Sequence, residues 1–315
     1  MKIITHKNIQ DLNISPLQFM EWVETVIKEQ ETSVVPPKTK IYMQNNVSRF
    51  TTMPCYIPNI NRMGVKIGAS RFPGQEPAID TSILLWDSNT GEMLVMMDAH
   101  IVTAMRTGAV AALSVKTLKI NKSCCEMGLM GLGVTSTAMM LCLLESSLNE
   151  HFNVKLLAYN GQEDTFRKRF EKFTNVTFTV VDSHEDLICD SDVVVSAITV
   201  ATGQIGKDEW FKEGCTLIPI HTRGFENCDL FFDKVFGDVT AQISGFGNFS
   251  KFKSFNEFTK VLNNKCEGRI NDKERILVYN IGMGLHDIYI GSKILELSDN
   301  TLNISFKENI PKIFV

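Results

Sequence analysis

The spacing of apolar residues changes along the chain, and the change falls near residue 121. Behind Ser15-Pro16, the residues Leu17, Phe19, Met20, Trp22, Val23, Val26 and Ile27 recur at helical intervals. Serine accepts backbone N–H groups at a helix start and proline fits the first helical position, so the spacing predicts a capped amphipathic helix. Val34-Val35-Pro36-Pro37 stops it, because proline cannot continue a helix. From about 40 to 97 the pattern is one of short β-rich runs. Ile83-Leu84-Leu85-Trp86 and Met93-Leu94-Val95-Met96-Met97 flank Ser88-Asn89-Thr90-Gly91, which predicts a hairpin. Ile101, Val102, Met105, Ala109, Ala112 and Leu113 then mark a long helix capped by Asp98 and running to about Lys119.

After Asn121-Lys122-Ser123 the rhythm becomes strand–helix alternation, the signature of a parallel sheet. Strands are predicted at 126–130, 154–159, 176–181, 193–197, 216–219, 235–237 and 276–279, with helices at 134–144 and 164–173. A last helix, about 285–297, carries the chain away from that sheet. The fold class is therefore α/β, with a Rossmann-type parallel-sheet domain over 121–284. An N-terminal α/β domain covers 1–120, and the C-terminal segment 285–315 rejoins it.

The length of 315 residues suits two domains of roughly 100–200 residues each. Apolar residues at 44% and charged residues at 22% match an ordinary globular chain. The net charge of −4, without a basic stripe, argues against nucleic acid as a partner. Eight scattered cysteines form no C-x-x-C pair, which predicts reduced thiols. No apolar run follows Lys2, and no stretch reaches the roughly 18–20 apolar residues of a membrane span. A cytoplasmic protein is expected. The six histidines form no H-E-x-x-H or Cys/His cluster, so no metal site is expected either.

Three constellations carry chemistry. Gly131-Leu132-Gly133-Val134-Thr135-Ser136 follows an apolar strand and opens a helix, as a dinucleotide fingerprint does. The first glycine permits the tight turn, the second lets backbone approach a pyrophosphate, and the helix start favours the anion. Ser136 stands where a third glycine or alanine is usual. The second strand ends at Tyr159-Asn160-Gly161. Asn160 can bond a ribose hydroxyl, and no arginine follows to clamp a 2′-phosphate, which favours NAD without excluding NADP. Arg106 lies on an otherwise apolar helix and needs an anion, either a substrate carboxylate or one of the protein's own acids. Lys66 lies in the β-like run Met63-Gly64-Val65-Lys66-Ile67-Gly68. Facing inward it would suit proton transfer, and facing solvent it would be ordinary. No G-x-S-x-G elbow and no G-K-[ST] phosphate loop occurs.

A set of short stretches, in order, resembles the ornithine cyclodeaminase/μ-crystallin family, which also includes archaeal alanine dehydrogenase and a siderophore-pathway amino-acid dehydrogenase. They are Pro36-Pro37-Lys38, Met53-Pro54, Gly64-Val65-Lys66, Leu85-Trp86-Asp87 through Thr90-Gly91, and Met97-Asp98-Ala99. Arg106-Thr107-Gly108-Ala109, Gly131-Leu132-Gly133 and Gly282-Met283-Gly284-Leu285-His286-Asp287 complete the set. The resemblance implies a homodimer joined through the N-terminal α/β substrate domain, and hydride transfer between nicotinamide and the α-carbon of an amino acid or imine. It implies that Lys38, Lys66 and Arg106 hold the substrate carboxylate. Thr107 and the 131–136 turn, with Gly131, Gly133, Val134 and Thr135, would contact pyrophosphate. Ser196 and Thr199 would lie near the nicotinamide.

One stretch departs from the family pattern. The loop that holds a catalytic aspartate in the cyclodeaminase reads Ile220-His221-Thr222-Arg223-Gly224 here, with Arg223 or His221 in its place. Without that carboxylate, ring closure by an ornithine side-chain amine has no obvious base. His221 is then the candidate acid/base and Arg223 a candidate for an acidic or keto substrate. The expectation is a nicotinamide-dependent oxidoreductase of amino acids, keto acids or imines. Its alternatives are a cyclodeaminase recycling NAD and a non-catalytic dinucleotide-binding protein.

Overall fold

The computed structural model describes residues 1–74, 76–199, 201, 203–220, 224–299 and 301–305. It is an α/β chain of two compact units, one comprising 1–14, 32–103 and the segment from Gly284 onward, the other 15–31 and 104–283.

The first unit is built on a seven-stranded mixed sheet. Its order is Leu302–Asn303, Lys2–Ile4, Met93–Asp98, Ile79–Asp87, Arg62–Ser70, Arg49–Ile57 and Thr39–Tyr42. All neighbours run antiparallel except Lys2–Ile4 beside Met93–Asp98. The expected hairpin is present, with Ile83 opposite Met97 and Leu85 opposite Val95. All four are buried, as period-two alternation requires when one face meets a core. Its turn is held by the Asp87 carboxylate, which accepts the backbone N–H groups of Asn89 (2.9 Å) and Thr90 (3.0 Å). The helix Gly284–Leu297 lies over the strands Arg49–Ile57, Arg62–Ser70 and Ile79–Asp87 and buries Leu285, Ile288, Ile290 and Ile294 there.

The second unit is an eight-stranded, wholly parallel sheet. Its order is Phe255–Glu257, Lys234–Gly237, Ile276–Tyr279, Thr216–Pro219, Val193–Ser196, Cys124–Met130, His151–Leu157 and Val176–Val181. Central strands such as Val193–Ser196 and Ile276–Tyr279 are buried at every position, which is why they read as continuous apolar runs. The strand order reverses between Cys124–Met130 and Val193–Ser196. Crevices at such switch points are where open α/β sheets bind ligands.

The compact units differ from the sequence-based boundaries in two places. Residues 15–31 and 104–120 fall with the parallel sheet, whereas sequence alone assigns them to the first domain. The physical reason lies in the apolar stripe of Pro16–Lys28. Phe19, Met20, Val23, Val26 and Ile27 are buried where that helix meets Val134–Ser146 and Phe258–Leu262, and each contributes roughly 1.5–3 kcal/mol. Hydrogen bonds from Thr259 Oγ1 to the Ile27 carbonyl (2.6 Å) and from Gln30 Nε2 to the Asp238 carbonyl (2.8 Å) fix it there.

One helix passes a length-and-composition test for a membrane span and is a core helix by its burial. The helix His100–Leu118 does reach the length and mean hydropathy (1.2) of a spanning segment, and 61% of that stretch is buried inside the protein, as in a core helix. All eight cysteines are free thiols, and burial pushes Cys125, Cys142 and Cys215 up to about 12, which keeps them unreactive.

Candidate active site

In the parallel unit, strand Cys124–Met130 delivers the chain into the glycine turn, and helix Val134–Ser146 leaves it. Gly131 has φ +85°, and a Cβ there would lie 2.7 Å from the Ala197 carbonyl carbon. No other residue fits that approach. Gly133 is different: it caps the helix without a side-chain hydrogen bond, and a Cβ there would meet nothing within 4 Å among the described residues. The first N–H groups of a helix have no partner within it, and Val134 beside them is 70% exposed. Thr135 follows on the same turn. Ser136 turns inward and donates its hydroxyl to the Gly131 carbonyl, so it closes the turn in place of a third glycine. An open helix N-terminus at a switch point fits a dinucleotide pyrophosphate.

Beyond the second strand, His151–Leu157, Asn160 (φ +52°) and Gly161 (φ +71°) turn the chain. The Glu163 carboxylate accepts the Tyr159 backbone N–H at that strand end. Sequence reading had no signal for this acid, because it sits three residues past Asn160 on the next helix. Arg169 Nη1 donates to Thr137 Oγ1 (2.9 Å) on the helix that leaves the glycine turn, a second group that sequence reading missed. Ser196 ends its strand and is buried, and Thr199 is exposed three residues on.

Arg106 is 6% exposed on the helix His100–Leu118, and Thr107 beside it is half-buried. The guanidinium lies against Gly282, whose φ is +84° and where an added Cβ would overlap Arg106 Nη1. The turn at Gly282 is itself fixed by the buried Asp238, whose Oδ2 accepts the N–H groups of Ile281 (2.7 Å) and Gly282 (2.6 Å).

In the mixed-sheet unit Lys66 faces inward. It pairs across its strand with Met53 and Ile83 and is 5% exposed. Its Nζ donates to Asp287 Oδ1 at 3.0 Å, and Asp287 is fully buried on the helix Gly284–Leu297. Cys55 borders this pair. Burial first, then the Asp287 charge, pushes its thiol up to about 12, so it stays protonated. Lys38 is half-buried just ahead of the strand Thr39–Tyr42. The structure thus joins Lys66 to Asp287, which sequence analysis quoted in a motif but gave no role. His221 and Arg223 lie outside the described residues.

The nodulation efficiency protein NfeD of Rhizobium meliloti is 25% identical over 311 residues, covering 94% of this chain and 95% of that protein. The ketimine reductase mu-crystallin of Macropus fuliginosus is 26% identical over 195 residues, a match spanning 58% of this chain and 57% of that one. The Delta(1)-pyrroline-2-carboxylate reductase of Thermococcus litoralis, solved with NADH and L-proline, superposes with a TM-score of 0.84 at 21% identity. It covers 96% of this chain and 100% of its own. The model of the ornithine cyclodeaminase/mu-crystallin family matches residues 2–300, and the chain belongs to that family.

Proposed function

We propose that this protein is an NAD(H)-dependent oxidoreductase that reduces an imine, or oxidises the matching amino acid, at the α-carbon. The observation that carries the reading is the open backbone cradle at Gly133, on a strand–turn–helix at the switch point of a parallel sheet. The names of relatives point the same way, since a ketimine reductase and a pyrroline-2-carboxylate reductase are among them.

The helix start at Gly133, Val134 and Thr135, with Gly131 and Thr107, holds the pyrophosphate. Asn160 takes the adenosine ribose, and Ser196 and Thr199 lie at the nicotinamide. The bound dinucleotide supplies or accepts the hydride. Arg106 and Lys38 bind the substrate carboxylate, the guanidinium in a two-point fork. Imine reduction also consumes one proton at nitrogen. Lys66 Nζ, oriented by Asp287, is the group we assign to hold it, with His221 as a further acid/base and Arg223 for an acidic or keto side chain. NAD(H) is favoured over NADP(H), because no arginine follows Asn160 and the Glu163 carboxylate occupies that strand end. The working form is a cytoplasmic homodimer.

The test is a screen of keto acids with ammonia or amines, cyclic imino acids and amino acids against both cofactors, followed at the nicotinamide absorbance. Net NADH consumption or production supports the reading. An amino acid cyclised with loss of ammonia and no net change in NADH would instead establish a cyclodeaminase.

A further inference from the structure

We propose that His6, Asp98 and His100 form a binding site for a divalent transition-metal ion of the zinc class, with Asp80 as its outer carboxylate. The residues belong to the mixed-sheet unit and come from separate segments. His6 opens the helix His6–Asp11, Asp98 ends the strand Met93–Asp98, and His100 opens the helix His100–Leu118. The Asp98 carboxylate lies between the two imidazoles. His6 Nδ1 is 3.1 Å from Oδ1 and His100 Nδ1 is 2.6 Å from Oδ2. One ligand atom from each of the three residues falls within 4.8 Å of the others. A tetrahedral zinc ion with bonds near 2.0–2.2 Å keeps its ligand atoms about 3.2–3.6 Å apart, so the set needs little movement to close on one.

Backbone geometry already holds these groups. Thr5 and Asn8 form a capping box that fixes the start of the His6 helix. The His100 backbone N–H donates to Asp98 Oδ1 at 3.1 Å, which locks carboxylate and histidine together. The His100 ring has a second carboxylate on its far side, with Nε2 3.5 Å from Asp80 Oδ1 and in no hydrogen bond among the described residues. Metal-ligating histidines characteristically turn their other nitrogen to a carboxylate. With Nδ1 on the metal, the neutral ring would carry its proton on Nε2, the nitrogen that faces Asp80. Two imidazoles and a carboxylate suit zinc, cobalt(II) and nickel better than magnesium or calcium. Such an ion would staple residue 6 to residues 98–100.

The test titrates Zn²⁺, Co²⁺ and Ni²⁺ into the full, tag-free, chelator-treated chain by calorimetry and thermal melting. One ion per chain at micromolar or lower concentration is expected, with a higher Tm and a Co²⁺ visible spectrum lacking thiolate charge-transfer bands. His6→Gln and His100→Gln should each weaken binding by more than roughly tenfold, and Asp80→Asn by less. His6 lies at an exposed helix start, so His6→Gln decides the matter even if His100→Gln does not fold. Absence of binding at ~100 μM metal, or affinity unchanged by His6→Gln, overturns the site.

Discussion

Arg106 and Lys66 are both basic side chains placed where water is scarce, and each is set by a residue far away in sequence. For Arg106 that residue is Gly282. A methyl group there would displace Nη1 and strain a backbone at φ +84°. Both Arg106→Lys and Gly282→Ala should therefore lower kcat/KM strongly, by about 30- to 1,000-fold for the loss of roughly 2–4 kcal/mol of two-point carboxylate binding. NAD(H) affinity, measured by calorimetry, should stay within a few-fold. Loss of dinucleotide binding in step with activity would move Arg106 from substrate to cofactor.

For Lys66 the partner is Asp287. Removing one half of a buried pair leaves a poorly compensated charge, so Asp287→Asn should cost about 3–5 kcal/mol in urea unfolding. Lys66→Met in the same chain should recover much of that cost. Strictly additive losses in the double-mutant cycle would refute the coupling. Lys66 was legible in the sequence because a lysine stands out in a β-run. Asp287 was not, since 221 residues separate it from its partner and an acid in a first helical turn looks like ordinary capping.

Elements with a clear period were legible, and three-residue elements were not. The hairpin, the helix Pro16–Lys28 and the strands Val176–Val181, Thr216–Pro219 and Ile276–Tyr279 follow from spacing and turn chemistry. Strands such as Lys2–Ile4 and Phe255–Glu257 are too short to show alternation, and their neighbours define them. The helix expected over 164–173 ends at Lys168, followed by turns through Phe170 and Phe173. The glycine turn belongs to the first class, and the structure sharpens its test. Among the described residues a Cβ at Gly133 meets no atom within 4 Å, so Gly133→Val should fold with wild-type circular dichroism while its branches fill the space over the helix start. Calorimetry should find NAD(H) binding lost. Wild-type affinity in this variant would remove the dinucleotide from the glycine turn.

At the scale of the molecule, alternation of strands and helices revealed a parallel sheet, but not which unit each helix joins. That choice depends on which apolar stripes meet, as at Val23 and Val26, and on long-range contacts such as Gln30 with Asp238. The same long-range wiring governs how the chain responds to acid. Asp192 is buried at the start of the central strands. Its Oδ2 accepts the Glu126 N–H at 3.0 Å, and its Oδ1 meets Lys122 at 2.9 Å and Lys212 at 2.8 Å. Burial alone would raise this carboxyl. The Lys212, Glu126 and Lys122 contacts outweigh it and hold the pKa below the ordinary value of 3.8. A carboxylate depressed in the folded state stabilises it fully above the unfolded pKa, and that contribution fades as pH falls through the folded one. Asp229 has the opposite sign: burial raises it despite hydrogen bonds from Asn248 and Tyr279, so it favours the fold more as pH falls. The acid loss should therefore be concentrated at Asp192 and its like. Asp192→Asn should lower stability by about 2–3 kcal/mol at pH 7, the worth of charge-assisted bonds to a buried anion. As pH falls below the unfolded value and on through the depressed folded one, the difference between the two proteins should shrink. Urea midpoints measured from pH 7 down to 2.5 give the comparison. A difference that stayed constant across that range would mean that Asp192 acts through shape rather than charge.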